Sequence, residues 1–220
     1  MTKGIIFYTD NQVNLKLAHA VQSTIRDSHL PITSCSLKPM DKMGTNYHLK
    51  AERGIMTMFK QILTCLENAQ EEVVFFCEAD VLYHPSHFDF EPEDRQMFYY
   101  NTNWWSVGRG DKAVTWDANR VSQLCCFREH ALNYYRERIK EIEANGFNRS
   151  YEPGGRDETK YRRWTSEVAN IDVLHGNNLT ARKWSPKDFR DKSTGQNFQE
   201  TTIDNIPGWD KLRDILPVKE

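Results

Sequence analysis

The sequence predicts an α/β domain, a mixed sheet flanked by helices, on three observations. The chain opens with an apolar, β-prone stretch that gives way to an amphipathic helical pattern. A second helical pattern leads into the only fully apolar run in the middle of the chain, Val73-Val74-Phe75-Phe76-Cys77. With 220 residues and a formal charge of −2, the chain is long enough for one large domain with a complete core.

Residues 4–9, from Gly4 to the Thr9-Asp10 step, read as a first strand, and Asp10-Asn11 turns the chain toward a helix over 15–26. Residues 32–37 suit a second strand, followed by a loop over 38–47 that carries a Pro and a Gly. Ile55, Met58, Phe59, Ile62, Leu63 and Leu66 recur at helical spacing and predict a helix through Ala69. The apolar run comes next and reads as a buried strand ending in Glu78-Ala79-Asp80. Beyond it, 83–88 is a loop, while 97–101, 103–107 and 121–127 look like strands of a more antiparallel region. A long helix over 128–144 is stopped by Asn145-Gly146. Residues 151–156 form a Pro-Gly-Gly loop, then comes a short helical piece, and 171–174 leads into His175-Gly176.

Composition excludes several classes. The balanced charge leaves no whole-chain basic field for nonspecific nucleic-acid binding. Five cysteines, odd in number, in mostly apolar contexts and without a CxxC pair, argue against a disulfide framework or a zinc knuckle and for a reducing cytoplasm. The first residues pass straight into the strand with no secretory apolar region, and no run approaches the roughly 20 residues a membrane span needs. A cytoplasmic chain with no membrane span is therefore expected.

Chemistry is concentrated at the end of the apolar strand. Side chains two apart on a strand face the same way with their stems roughly 7 Å apart, so Glu78 and Asp80 can converge on one divalent cation. In open α/β sheets, ligands bind where the carboxyl ends of the strands emerge. Oxygen ligands with free coordination positions suit Mg²⁺ or Mn²⁺ bridging a diphosphate. The plainer alternative is a pair of caps or salt-bridge partners.

The order of these parts resembles a GT-A glycosyltransferase over about residues 4–185: a β-α opening, a helix, an apolar strand ending in a DxD-like acidic triplet, a mixed second half and a late histidine. The resemblance implies a GT-A-like mixed sheet in a single domain, with residues 1–80 as the nucleotide-sugar half, 81–182 as the acceptor half and 183–220 as a C-terminal extension. It implies Glu78, Asp80 and His175 as metal ligands, and a nucleobase near Tyr8, Thr9 and Asp10, where Thr9 and Asp10 could bond the base or ribose, although Asp10 also suits the N-cap of the first helix. Arg53 would pair with phosphate or with a carboxylate that orients the sugar. Ala79 occupies the middle of the triplet, where it offers the donor no polar contact. The stretch from Glu78 to Phe90 is most similar to small transferases of bacterial and phage genomes, some of which glycosylate hydroxymethylated pyrimidines in phage DNA. This implies a UDP-sugar donor with Mn²⁺ or Mg²⁺ and a hydroxyl acceptor, DNA among the candidates.

The acceptor side is read from residue type. Tyr99, Tyr100, Trp104, Trp105 and Trp116 could form a stacking platform or simply core. Asp117 and Glu152 are the first candidates for a general base, and Asp157-Glu158 is a third. Lys160, Arg162, Arg163, Arg182 and Lys183 could hold phosphates or form a solvated face. The loop over 151–157 has the glycines of a closing lid. Two rival readings stand beside the transferase: a metal hydrolase or nucleotidyltransferase using His84 and His87, and a non-catalytic module built on the aromatic cluster.

Overall fold

The structure, a computed structural model, describes residues 1–146, 153–155, 157–179, 183–189, 195–210 and 212–216. The first half runs β1 (Lys3–Thr9), α1 (Leu15–Arg26), β2 (Ile32–Ser36), β3 (Thr45–His48), α2 (Ile55–Asn68) and β4 (Val73–Glu78). Next come β5 (Val81–Leu82), β6 (Phe98–Asn101), β7 (Trp104–Arg109), β8 (Lys112–Thr115), β9 (Leu124–Phe127) and α3 (Arg128–Asn145). The chain closes with β10 (Tyr161–Trp164), β11 (Asn170–Val173), β12 (Gln199–Thr202) and α4 (Leu212–Ile215). A seven-stranded sheet has the order β10-β6-β9-β4-β1-β2-β3, and a five-stranded one the order β12-β8-β7-β11-β5.

β1 and β4 sit at the middle of the large sheet and are covered on both faces, which is why they read as continuous apolar runs. Ile5, Phe7, Phe75 and Cys77 meet Leu17, Val21 and Ile25 of α1 on one face. Ile6, Val74 and Phe76 meet Phe59 and Ile62 of α2 and Tyr135 of α3 on the other. Asn14 is the N-cap of α1, its side chain accepting from the Leu17 N–H at 2.9 Å. The Asp10 carboxylate accepts instead from the Gln12 N–H at 3.0 Å, in a turn before the helix. At the other end of the fold, Gly146 at φ 80° closes α3 with its N–H on the Ile142 carbonyl.

Several expectations are corrected. Residues 45–48 form an edge strand, β3, parallel to β2, within the stretch expected to be a loop. The short helical piece expected after residue 156 is instead β10, parallel to β6. Both strands are polar and lie at sheet edges, so they carry no apolar alternation. The segment 183–220, expected as an extension, supplies β12, antiparallel to β8, and the buried side chains of Trp184, Ile203, Ile206, Leu212 and Leu216. Of the two readings of the aromatic cluster, platform or core, Tyr99, Tyr100 and Trp104 follow the second: they are buried in the core, and Trp105 packs against it. Among the described residues, no helix is long and apolar enough to cross a membrane.

Of the two histidines of the hydrolase reading, His87 is lost to packing, while His84 is partly exposed and bonds Ser86 through its Nδ1. His87 is fully buried, with its ring against Phe75, Tyr83, Phe88 and Trp164. Its Nδ1 accepts from the side-chain amides of Asn101 at 3.1 Å and Asn170 at 3.0 Å. Burial pushes its pKa from the usual 6.5 down to about 3. The unfolded chain binds this proton near pH 6.5 and the folded chain only near 3, so the contribution to stability is complete above about pH 6.5 and is lost as pH falls toward 3. Urea denaturation should show a loss from this group that sets in below about pH 6.5 and approaches about 1.4 kcal/mol per pH unit between about pH 5.5 and 4. The slope should be correspondingly shallower in His87→Gln; identical slopes would show that His87 is not held neutral by the fold.

Candidate functional site

β1 connects through α1 to β2 on one side, and the chain returns through β3 and α2 to β4 on the other. The connections thus diverge between β1 and β4, which opens a crevice at their carboxyl ends. Tyr8 and Glu78 face each other across that seam. A cleft of about 470 Å³ lies there, a size suited to a small-molecule site. Its walls include Thr9, Asp10, Arg53, Glu78, Ala79, Asp80 and His175, seven of the nine site residues expected from the sequence.

Glu78 is the last residue of β4. Its Oε1 accepts from the Tyr8 hydroxyl at 2.8 Å, and its backbone N–H donates to the Tyr83 hydroxyl at 2.9 Å. Burial first, and then the Glu78 charge, push the Tyr8 pKa well above its ordinary value, so Tyr8 stays a donor to that carboxylate. Asp80 lies in the turn that follows, so strand alternation does not set its direction. The chain changes sheets there: the Asp80 carbonyl accepts from the Val173 N–H at 2.8 Å, and β5 pairs antiparallel with β11.

This crossing brings Asp80 to the loop after β11. Its Oδ2 accepts from the Asn178 side-chain amide at 2.7 Å and stands 3.4 Å from Nε2 of His175. The backbone N–H of His175 donates to Asn178 Oδ1 at 2.9 Å, and its Nδ1 accepts from the Asn177 N–H at 3.3 Å. Two adjacent ligands on an octahedral ion with bonds of 2.0–2.1 Å stand about 3 Å apart, so this pair needs to close by only a few tenths of an ångström. A carboxylate plus an imidazole suits Mn²⁺, and Mg²⁺ less well. Among the described residues, no three His, Cys, Asp or Glu side chains are grouped closely enough to hold an ion. The pair therefore fits an ion that takes its remaining ligands from water, substrate oxygens or a rearranged Glu78.

Arg53, just before α2, donates to the Asp10 carboxylate and to the carbonyl of Asn177. Asn177 in turn donates from its side chain to the Gln12 carbonyl at 3.1 Å. The loop carrying His175 is thereby tied across one end of the cleft. Thr9 and Asp10 mark that end, Thr9 with its hydroxyl accepting from the Asn11 N–H at 3.0 Å.

Asp117 does not line the cleft. It accepts from the Asn197 side chain at 2.8 Å and stands 3.8 Å from Arg163, while its neighbour Trp116 takes the cleft side. Glu152 lies outside the described residues, as do Arg182 and the lid residues Tyr151 and Arg156. The described lid residue Pro153 is held by the Tyr100 hydroxyl at 2.5 Å. Asp157 accepts from the Thr159 N–H and hydroxyl, and neither it nor Glu158 lines the cleft. Of the expected basic group, Lys183 lines the cleft.

Sequence reasoning missed Arg120, Asp172 and Asn178, and it placed Tyr8 near the nucleobase without its bond to Glu78. Arg120, partly buried, and Asp172, buried, 52 positions apart, form an ion pair in the cleft wall. The Arg120 guanidinium lies over the ring of Trp104 at 3.5 Å and near that of Trp116 at 4.8 Å. One signal was present: a lone carboxylate between Ile171 and Val173, in the stretch 171–174, three residues before His175.

No protein-family model and no curated protein matches this chain. Solved structures do. A glycosyltransferase involved in the glycosylation of the major capsid of PBCV-1 is similar at 9% identity and a TM-score of 0.52, over 81% of this chain and 95% of that one. The glycosyltransferase GlyE of Streptococcus pneumoniae TIGR4 is similar at 14% identity and a TM-score of 0.46, over 74% of this chain and 45% of that one. A mutant Drosophila beta-1,4-galactosyltransferase 7, in complex with manganese, UDP-Gal and xylobiose, is similar at 12% identity and a TM-score of 0.45, over 89% of this chain and 83% of that one. The fold is what such likeness shows, and this chain has the mixed α/β fold of the GT-A glycosyltransferases.

Proposed function

We propose that the protein is a metal-dependent glycosyltransferase that moves a sugar from a nucleoside-diphosphate sugar, a UDP-sugar first, to a hydroxyl acceptor. The convergence of Asp80 and His175, 95 positions apart, to 3.4 Å at the crevice beside Glu78 carries this reading. Thr9 and Asp10, at the end of β1, take the nucleobase and ribose. Arg53 orients Asp10 and the His175 loop. Glu78, Asp80 and His175 hold the cation, Mn²⁺ or Mg²⁺, which when bound supplies Lewis-acid stabilisation of the departing diphosphate. Tyr8 fixes the Glu78 carboxylate, and Asn178 fixes Asp80. Ala79 leaves room at the donor without bonding to it.

The acceptor hydroxyl needs a base within hydrogen-bond reach. Asp117 is engaged by Asn197 and Arg163, so Glu152→Gln is the first substitution to test for that role. Hydroxymethylated pyrimidines in DNA belong to the acceptor class and form one arm of an acceptor screen, beside simple sugars and hydroxyl side chains.

Calorimetry with UDP, with and without Mn²⁺, tests the reading. Metal-dependent binding is expected; no nucleoside diphosphate binding in either condition would sink it. In the same experiment Arg53→Ala should weaken UDP binding about tenfold, the lower end of what bonds to a charged group contribute. An unchanged Kd would remove Arg53 from the site.

A further inference from the structure

The Arg120–Asp172 pair is an unusual thing to find in a cleft wall. Its side chains are only 14% and 3% exposed. Desolvation of two charges tends to cancel their attraction, so a buried pair is poorly explained by stability alone. Arg120 is also immobilised on two aromatic rings, and the Ser106 hydroxyl lies 3.5 Å from the Asp172 carboxylate. A guanidinium held in this way is a rigid fork of donors, suited to ligand oxygens at fixed positions.

Its place in the fold says which oxygens. The strand ends along the crevice follow one another: Thr9 closes β1, Glu78 closes β4, and residues 120–122 lead into β9, the antiparallel neighbour of β4. Neighbouring strands are about 4.8 Å apart, so the lead-in to β9 that carries Arg120 is two strand spacings, roughly 10 Å, from β1, with β4 and its acidic triplet between. Asp172 borders the triplet from the other sheet, since it faces Val81, the residue after Asp80, in the β5–β11 ladder. Base and ribose, diphosphate and sugar follow the same order along a nucleoside-diphosphate sugar. The middle residue of the triplet, Ala79, offers the sugar only a methyl group.

We propose that Arg120 binds the hydroxyl oxygens of the transferred sugar and selects among sugars, with Asp172 as the residue that positions it. This rests on the transferase reading above and assigns to these two residues the selectivity that Ala79 cannot supply.

The test compares UDP, GDP and dTDP with their glucose, galactose and mannose conjugates, by calorimetry and donor hydrolysis in Mn²⁺. It uses the wild type, Arg120→Lys, Asp172→Asn and the double variant Arg120→Met/Asp172→Leu, which replaces the pair by apolar side chains and guards against loss of fold. Each variant should bind the sugar-free diphosphates within about twofold of the wild type. The kcat/KM for hydrolysis of the preferred conjugate should fall about ten- to a hundredfold, the loss of bonds to a charged donor, and the preference among sugars should flatten. Equal losses for sugar-free and sugar-bearing nucleotides would overturn the proposal, and so would an unchanged sugar preference. If the wild type binds no nucleoside diphosphate at all, the transferase reading fails and this proposal with it.

Discussion

Asp80→Ala is expected to lower sugar transfer by at least about a thousandfold and to abolish the Mn²⁺ dependence of UDP binding. Stabilisation of a departing diphosphate is worth several kcal/mol, and each 1.36 kcal/mol is a factor of ten in rate. Asp80 is the residue of the triplet that the fold carries to His175, at 3.4 Å, while Glu78 is held by the Tyr8 hydroxyl at 2.8 Å. Loss of Asp80 therefore takes half of the preformed pair, whereas Glu78→Ala should have a smaller effect on metal affinity. Calorimetry with UDP and Mn²⁺ measures the binding, and circular dichroism checks that the variant is folded. Wild-type metal dependence in Asp80→Ala would place the cation elsewhere.

Phe75→Ala should cost about 3–5 kcal/mol of stability, a large share of the 5–15 kcal/mol typical of a folded domain. Phe75 lies in β4, is fully buried, and packs edge-on against Phe88 at 5.3 Å and His87 at 5.4 Å. Its ring joins the large sheet to the loop that precedes β6, so truncation leaves a cavity bordered by two aromatic rings. Urea denaturation at neutral pH is the measurement. Leu15→Ala, at a side chain on the exposed face of α1, should change stability by no more than about 0.5 kcal/mol. Similar values for the two variants would mean that the core is not centred on β4.

Elements with a strong period were legible without coordinates. The helix expected over 15–26 is α1, the helix expected through Ala69 is α2, and the run ending at Glu78 is β4. Each buries a continuous face, and burial is what writes a pattern into a sequence. Strands that were missed, β3, β8, β10 and β12 among them, carry polar or mixed residues such as Thr45-Asn46-Tyr47-His48 and Gln199-Glu200-Thr201-Thr202. Their backbone groups find partners on β2, β6, β7 and each other, a pairing that no local residue pattern encodes.

The candidate site divides the same way. Glu78, Ala79 and Asp80 stood out because carboxylates at the end of an apolar strand are chemically conspicuous, and Asp10 and His175 because each lies at a strand exit. Those features, with the β-α opening, are what the sequence determined by itself. Tertiary structure alone decided that Asp80 turns away from β4 to meet His175, that Tyr8 takes Glu78, that Asp117 faces Asn197, and that Arg120 meets Asp172 in the cleft wall. The physical reason is that strand exits are local, whereas these side chains are brought together by pairings of distant strands: β1 with β4 for Tyr8 and Glu78, β8 with β12 for Asp117 and Asn197, and β5 with β11, where the chain passes from the large sheet to the small one, for Asp80 and the loop that carries His175.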